Sequence, residues 1–130
     1  MRVLIAAALL AALAVVTPAA QESLADGARR KTFDQLLDLY VRNGDAYYRA
    51  LKAERGKLDG FVTLQATTAV DKMSREEQIA FWLNAYNALV LKTIIDHYPI
   101  AGGAGAYPAK SIRQISGAFE RLPHRVAGRT

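Results

Sequence analysis

The 130-residue sequence contains no cysteine. Disulfides, lipid attachment through an N-terminal thiol and cysteine-ligated metal are therefore excluded, and no thiol nucleophile lies within these residues. Histidine is nearly as scarce. His97 and His124 are the only two, and neither has a partner ligand at metal-binding spacing. No cofactor or metal site is expected. H-E-x-x-H, G-x-S-x-G and phosphate-cradling glycine loops are missing, and "GGAG" at 102–105 follows a helical stretch instead of opening one. Ser74 and Ser111 have no adjacent base, and Asp71 falls in a polar linker. No nucleophile, base and orienting group assemble from the pattern. Internal repeats, long heptad patterns and the basic–aromatic interleaving of nucleic-acid readers are also missing, so no nucleic-acid partner is expected.

Hydrophobic residues make up 52% of the chain, enough for one small domain with a core. The first twenty residues stand apart. Arg2 precedes an unbroken run of 14 apolar residues, Val3 to Val16, and "TPAAQE" then offers cleavage after Ala19 or Ala20. The run is short of the nearly 20 residues a spanning helix needs, and its flanks are those of a signal peptide. Residues 1–20 are therefore expected to direct export to the periplasm or outside the cell, leaving no stable membrane anchor after cleavage. Without Arg2 the chain has 16 basic and 12 acidic residues, a net charge of +4. Lys110, Arg113, Arg121, Arg125 and Arg129 face only Glu120 near the C-terminus. Such a segment reads first as an ordinary solvated surface, with weak contact to anionic polymers as the second reading.

Along the exported part, residues 21–30 are small and polar and read as a flexible leader. "TFDQLLDLYVRNG" reads as an amphipathic helix: Thr32 and Gln35 fit a capping box, Phe33, Leu36, Leu37, Tyr40 and Val41 share a face, and Asn43-Gly44 suits a left-handed C-cap. Residues 45–52 fit strand or helix equally. A second helix is expected over Lys57–Ala66, with Leu58, Phe61, Val62 and Leu64 inward. Ser74 and Glu77 then make a capping box before a long apolar helix that His97 and Pro99 end. Its all-round apolarity predicts enclosure by other helices. Residues 100–110 hold four alanines, three glycines and a proline and read as a mobile loop. "SIRQI" opens a short helix, and the remainder is irregular and basic. The fold class is thus mostly α: about four helices around one buried central helix, as a small domain or as the N-terminal part of a larger α+β domain.

The long helix carries two amides, Asn84 and Asn87, in apolar surroundings. A buried amide costs about 1–3 kcal/mol when unpaired. The pair is therefore expected to form a polar network, either clamping a backbone segment or orienting a substrate. Tyr47, Tyr48 and Tyr107 are apolar with polar tips and suit a groove or the edge of the core.

The stretch "AFWLNAYNAL" resembles the hallmark of domain of unknown function 547 (DUF547), a helix reading A-F-W-hydrophobic-N-x-Y-N-A. The pattern falls on Ala80, Phe81, Trp82, Leu83, Asn84, Tyr86, Asn87 and Ala88. "LLDLYVRNG" and "HYP…SIRQI" resemble the flanking regions, so the resemblance runs from Phe33 to the C-terminus. Where members carry V-D-Y, this chain has Ala46, Tyr47 and Tyr48. Members also continue into a His- and Cys-bearing segment that these residues do not include. The resemblance implies residues 31–130 are the N-terminal part of such a domain, of a family without an assigned activity. Its implied readings are a hydrolase or transferase with a downstream Cys/His centre, a non-catalytic cell-envelope binding domain, or a fragment.

Overall fold

The computed structural model describes residues 24–103, 105–121 and 123–130. The expected signal segment at 1–20 lies outside them. Four helices dominate: α1 (Leu24–Tyr40), α2 (Tyr48–Ala53), α3 (Gly56–Thr67) and α4 (Arg75–Asp96). Between α1 and α2, β1 (Val41–Arg42) and β2 (Asp45–Ala46) form a two-stranded antiparallel hairpin, with Val41 opposite Ala46. The fold is mostly helical, as expected.

Asn43 and Gly44 take φ of 53° and 84° and form the two-residue turn of the hairpin. Their left-handed backbone, expected at a helix cap, is the requirement of a tight strand-joining turn. The ambiguous 45–52 segment resolves into both alternatives, two strand residues and then α2. Tyr47 N donates to Tyr40 O at 2.8 Å and folds this segment back onto the end of α1.

α1 begins at Leu24, so the expected flexible leader is helical from that residue onward. Thr32 is consequently inside the helix. Its hydroxyl donates to Ala28 O instead of capping. Two contacts hold the added turns: Arg29 pairs with Asp26 one turn earlier, and its guanidinium lies 5.6 Å from the Phe81 ring centre on α4. A cation over an aromatic face is a tertiary contact that no local pattern reveals.

The main core lies between α1, α2, α3 and α4. Phe33, Leu36 and Tyr40 meet Leu51, Leu58 and Phe61 across Ala88, Leu91 and Ile95. Phe33 and Phe61 stack at 4.6 Å between ring centres. On α3 the inward set is Leu58, Phe61 and Gln65, while Leu64 is exposed. A second, smaller cluster joins Phe81 and Ala85 of α4 to Val70 and Val126. Val126 sits there because the chain turns back at Ala127 and Gly128, with φ of 50° and 74°. Their N–H groups donate to Gln65 O and Ala66 O at 2.9 and 2.8 Å. The C-terminal residues thus satisfy carbonyls that the end of α3 leaves open.

The capping box of α4 forms as expected. Glu77 N donates to Ser74 Oγ at 3.2 Å, and Ser74 N donates to Glu77 Oε2 at 2.7 Å. His97 closes the other end. Among the described residues of 100–110 there is neither helix nor strand, and "SIRQI" contributes a single 3-10 turn at Ile112–Gln114.

Candidate functional site

α4 has two unlike faces. Phe81, Ala85, Ala88, Leu91 and Ile95 point into the clusters described above. Ile79, Trp82, Leu83 and Tyr86 point away from them, with 51, 38, 58 and 57% of their surface exposed. Their spacing of i, i+3, i+4 and i+7 makes one continuous stripe. The expectation that α4 is enclosed on every side is thus corrected: among the described residues, partners cover one face only. All-round apolarity says that both faces prefer burial, not that both are buried.

The asparagines straddle this division. Asn87 is exposed and continues the stripe one turn beyond Leu83. Asn84 is half-buried and lines a small cavity of about 50 Å³ with Arg29, Gln65, Met73 and Phe81. Neither amide has a hydrogen-bond partner among the described residues. The expected buried network of Asn84 with Asn87 is therefore not formed within this chain. Three residues on a helix turn through about 300°, so the two amides diverge by some 60°. That suffices to put one at the edge of the interior and the other in solvent.

The remaining hallmark aromatics divide the same way. Phe81 is buried and meets Trp82 edge-on, ring centres 5.2 Å apart at 83°. Trp82 is thereby held in place while the rest of its indole faces outward beside Tyr86. Inside the cavity edge, Gln65 is 2% exposed and its Oε1 has no hydrogen-bond partner. Gln65 escaped the sequence reading because only the tertiary partner of α3 decides which of Leu64 and Gln65 turns inward.

An ion-pair cluster joins the last turns of α4 to the start of α3. Arg55 Nε donates to Asp59 at 2.6 Å and its Nη2 to Asp96 at 2.5 Å, while Lys92 reaches both carboxylates at 3.1 Å. The Arg55 hydrogen bond holds the Asp59 carboxyl below its ordinary range against the opposing effect of burial. Burial pushes Asp96 upward, but Arg55 and Lys92 outweigh it and the net shift is downward. All four side chains are partly exposed, so the network orients the helices more than it stabilises them.

His124 joins this region from the C-terminal segment. Its Nε2 lies 3.4 Å from the Thr93 hydroxyl, and His97 Nδ1 lies 2.8 Å from Thr93 O. Burial, reinforced by the nearby Lys92 charge, pushes His124 below its ordinary pKa. A hydroxyl beside a neutral imidazole has the composition of a nucleophile and its base. Thr93 is only 3% exposed, however, and no substrate reaches it. The pair fastens the tail to α4. Sequence reading placed His124 in an irregular tail, because a contact across 31 residues leaves no local trace. Among the described residues no group of three or more metal-ligating side chains gathers.

Residues 70–127 match the model of the family described as "Protein of unknown function, DUF547". The matched span contains α4, its outer stripe, both asparagines and the His124 contact, and leaves out α1 to α3. No curated protein and no solved structure matches this chain.

Proposed function

We propose that this chain, which carries DUF547 sequence over residues 70–127, is the helical platform of an exported domain whose outer α4 face receives a further polypeptide segment. The observation that carries this reading is the stripe of Ile79, Trp82, Leu83 and Tyr86, each between 38 and 58% exposed. Burying the rest of four such side chains is worth about 1 kcal/mol each, or roughly 4 kcal/mol together. A contiguous apolar stripe with that much unrealised burial marks a contact surface. Branched aliphatic side chains flank its aromatics, which suits interdigitation with protein side chains. Asn87 and the Tyr86 hydroxyl lie where they pair with the backbone of an incoming segment.

On this reading the nucleophile and base of a complete enzyme come with the covering segment, and the platform alone is inactive as a hydrolase or transferase. Export is supported by Arg2, the 14-residue apolar run and the small residues at 17–20. N-terminal sequencing of the secreted product is expected to begin at Ala20 or Gln21; an intact Met1 would remove that part.

The platform itself is tested with Leu83→Lys. The substitution should abolish binding of a hydrophobic dye, while shifting stability by under about 1 kcal/mol. A loss of several kcal/mol would mean that this chain already covers the face. Wild-type dimers that Leu83→Lys dissociates would instead assign the face to a second copy.

A further inference from the structure

A different feature lies where α2 faces the C-terminal end of α4 and the segment that follows it. A cleft of about 580 Å³ opens there, within the range of about 300–1,000 Å³ in which small-molecule sites fall. Its apolar wall is Ile94, Ile100 and Ile112, and Ile94 is 8% exposed. Tyr48 and Tyr98 stand together at one side, ring centres 6.3 Å apart. Lys52 Nζ donates to Tyr98 O at 2.5 Å and fixes that side from behind.

The polar lining has one sign. Arg49 and Lys110 both border the cleft, and no carboxylate does. Arg55 and Lys92, by contrast, pair with Asp59 and Asp96, and Arg113 lies over Tyr107 and Phe119. Arg49, Lys110 and the hydroxyls of Tyr48 and Tyr98 have no hydrogen bond or ion pair among the described residues. Burial raises the Tyr48 hydroxyl above its ordinary pKa, so it remains a donor. Two uncompensated cations and two tyrosines therefore line the same cleft as three isoleucines.

We infer that this cleft binds a small anionic amphiphile, its carboxylate or phosphate head between Arg49 and Lys110 and its chain against Ile94, Ile100 and Ile112. A neutral amphiphile would leave the cations unanswered, and a cationic one would be repelled. A small hydrophilic anion would leave the apolar wall in water. Both halves of the ligand are needed because the cleft has both halves of the site. The inference is independent of what covers the outer face of α4.

Isothermal titration of the full chain with dodecanoate and dodecyl phosphate, kept below their micelle concentrations, tests it. One saturable site is expected for at least one of them, and the tighter of the two names the head group. Dodecanol and dodecyltrimethylammonium should bind at least tenfold more weakly, and acetate and inorganic phosphate should give no measurable heat. Arg49→Glu and Lys110→Glu replace exposed side chains, and each should weaken binding about tenfold or more. Leu83→Lys, on the α4 stripe, should leave it unchanged. Equal binding of dodecanol, full binding by both charge-reversed variants, or loss of binding in Leu83→Lys alone would each overturn the assignment. Should a glutamate variant melt early, Arg49→Gln and Lys110→Gln carry the same comparison.

Discussion

Asn87→Ala removes an amide whose apolar neighbours in sequence suggest the core and whose position is the outer face of α4. The amide has no hydrogen-bond partner among the described residues, so its loss strands no buried donor or acceptor. What is left is intrinsic helix preference, which favours Ala over Asn by roughly 0.5 kcal/mol inside a helix. The variant is therefore expected to be more stable than the parent by about 0.5 kcal/mol. For a domain of this size that raises Tm by about 2–4 °C. Leu51→Ala sets the scale on the same chain: Leu51 is 0% exposed within the main core, and its truncation should remove about 2–5 kcal/mol. Urea and thermal melts followed by helical circular dichroism measure both. A loss of 1–3 kcal/mol for Asn87→Ala would refute the reasoning, since only an amide with a buried partner costs that much. The proposed covering segment would reverse the sign. With it bound, Asn87→Ala should weaken the complex, so the same substitution separates a bare face from a filled one.

Ser74→Ala removes the acceptor for Glu77 N and should destabilise the chain by about 1 kcal/mol in the same melts; no change would mean that the capping box is replaced without loss by water. His124 has a folded pKa below its ordinary 6.5, so the fold favours the neutral ring. Its contribution is intact above about pH 6.5 and is lost as pH falls below that towards the folded value. Tm measured from about pH 8 down to about pH 5 should therefore fall more steeply in the parent than in His124→Gln, and identical profiles would refute the burial of a neutral His124 ring. Gly117→Ala adds a Cβ at a φ of +72° and within 2.7 Å of Arg121 Cβ. It should cost more than about 1 kcal/mol, and a neutral result would show that the 117–121 turn shifts freely.

Features set by neighbours in the chain were legible in the sequence. The capping box at Ser74 and Glu77 is such a feature: two residues three apart make both of its hydrogen bonds. The Lys57–Ala66 helix agrees with α3 to within a residue at each end, and Phe33, Leu36 and Tyr40 face the core at helical spacing. What depends on a distant partner was not legible. The first turns of α1 are held by Arg29 over Phe81, a contact between residues 52 positions apart. His124 meets Thr93, and Ala127 meets Gln65, across comparable gaps. For α4, periodicity could not choose the buried face, because apolar residues occupy both.

That ambiguity is itself informative about α4. Two of the five core-cluster residues on its inner face are alanines, Ala85 and Ala88, at 2 and 0% exposure. Small side chains there let α3 approach closely, and the bulk comes from Phe33, Leu36 and Phe61 in the same cluster. The outer face has the reverse composition, with Trp, Tyr, Leu and Ile in consecutive turns. A helix meeting solvent on that side would carry Lys, Glu or Gln, which favour the helix as well and keep it soluble. Apart from the edge contact of Trp82 with Phe81, the large apolar residues at these positions lie outside the core clusters. The contact proposed for the outer side would account for their arrangement, bulky side chains meeting a partner that supplies the close approach. The asparagine at the boundary then has the role of an interface amide. It adds little to the platform alone and becomes costly to remove once its partner is in place.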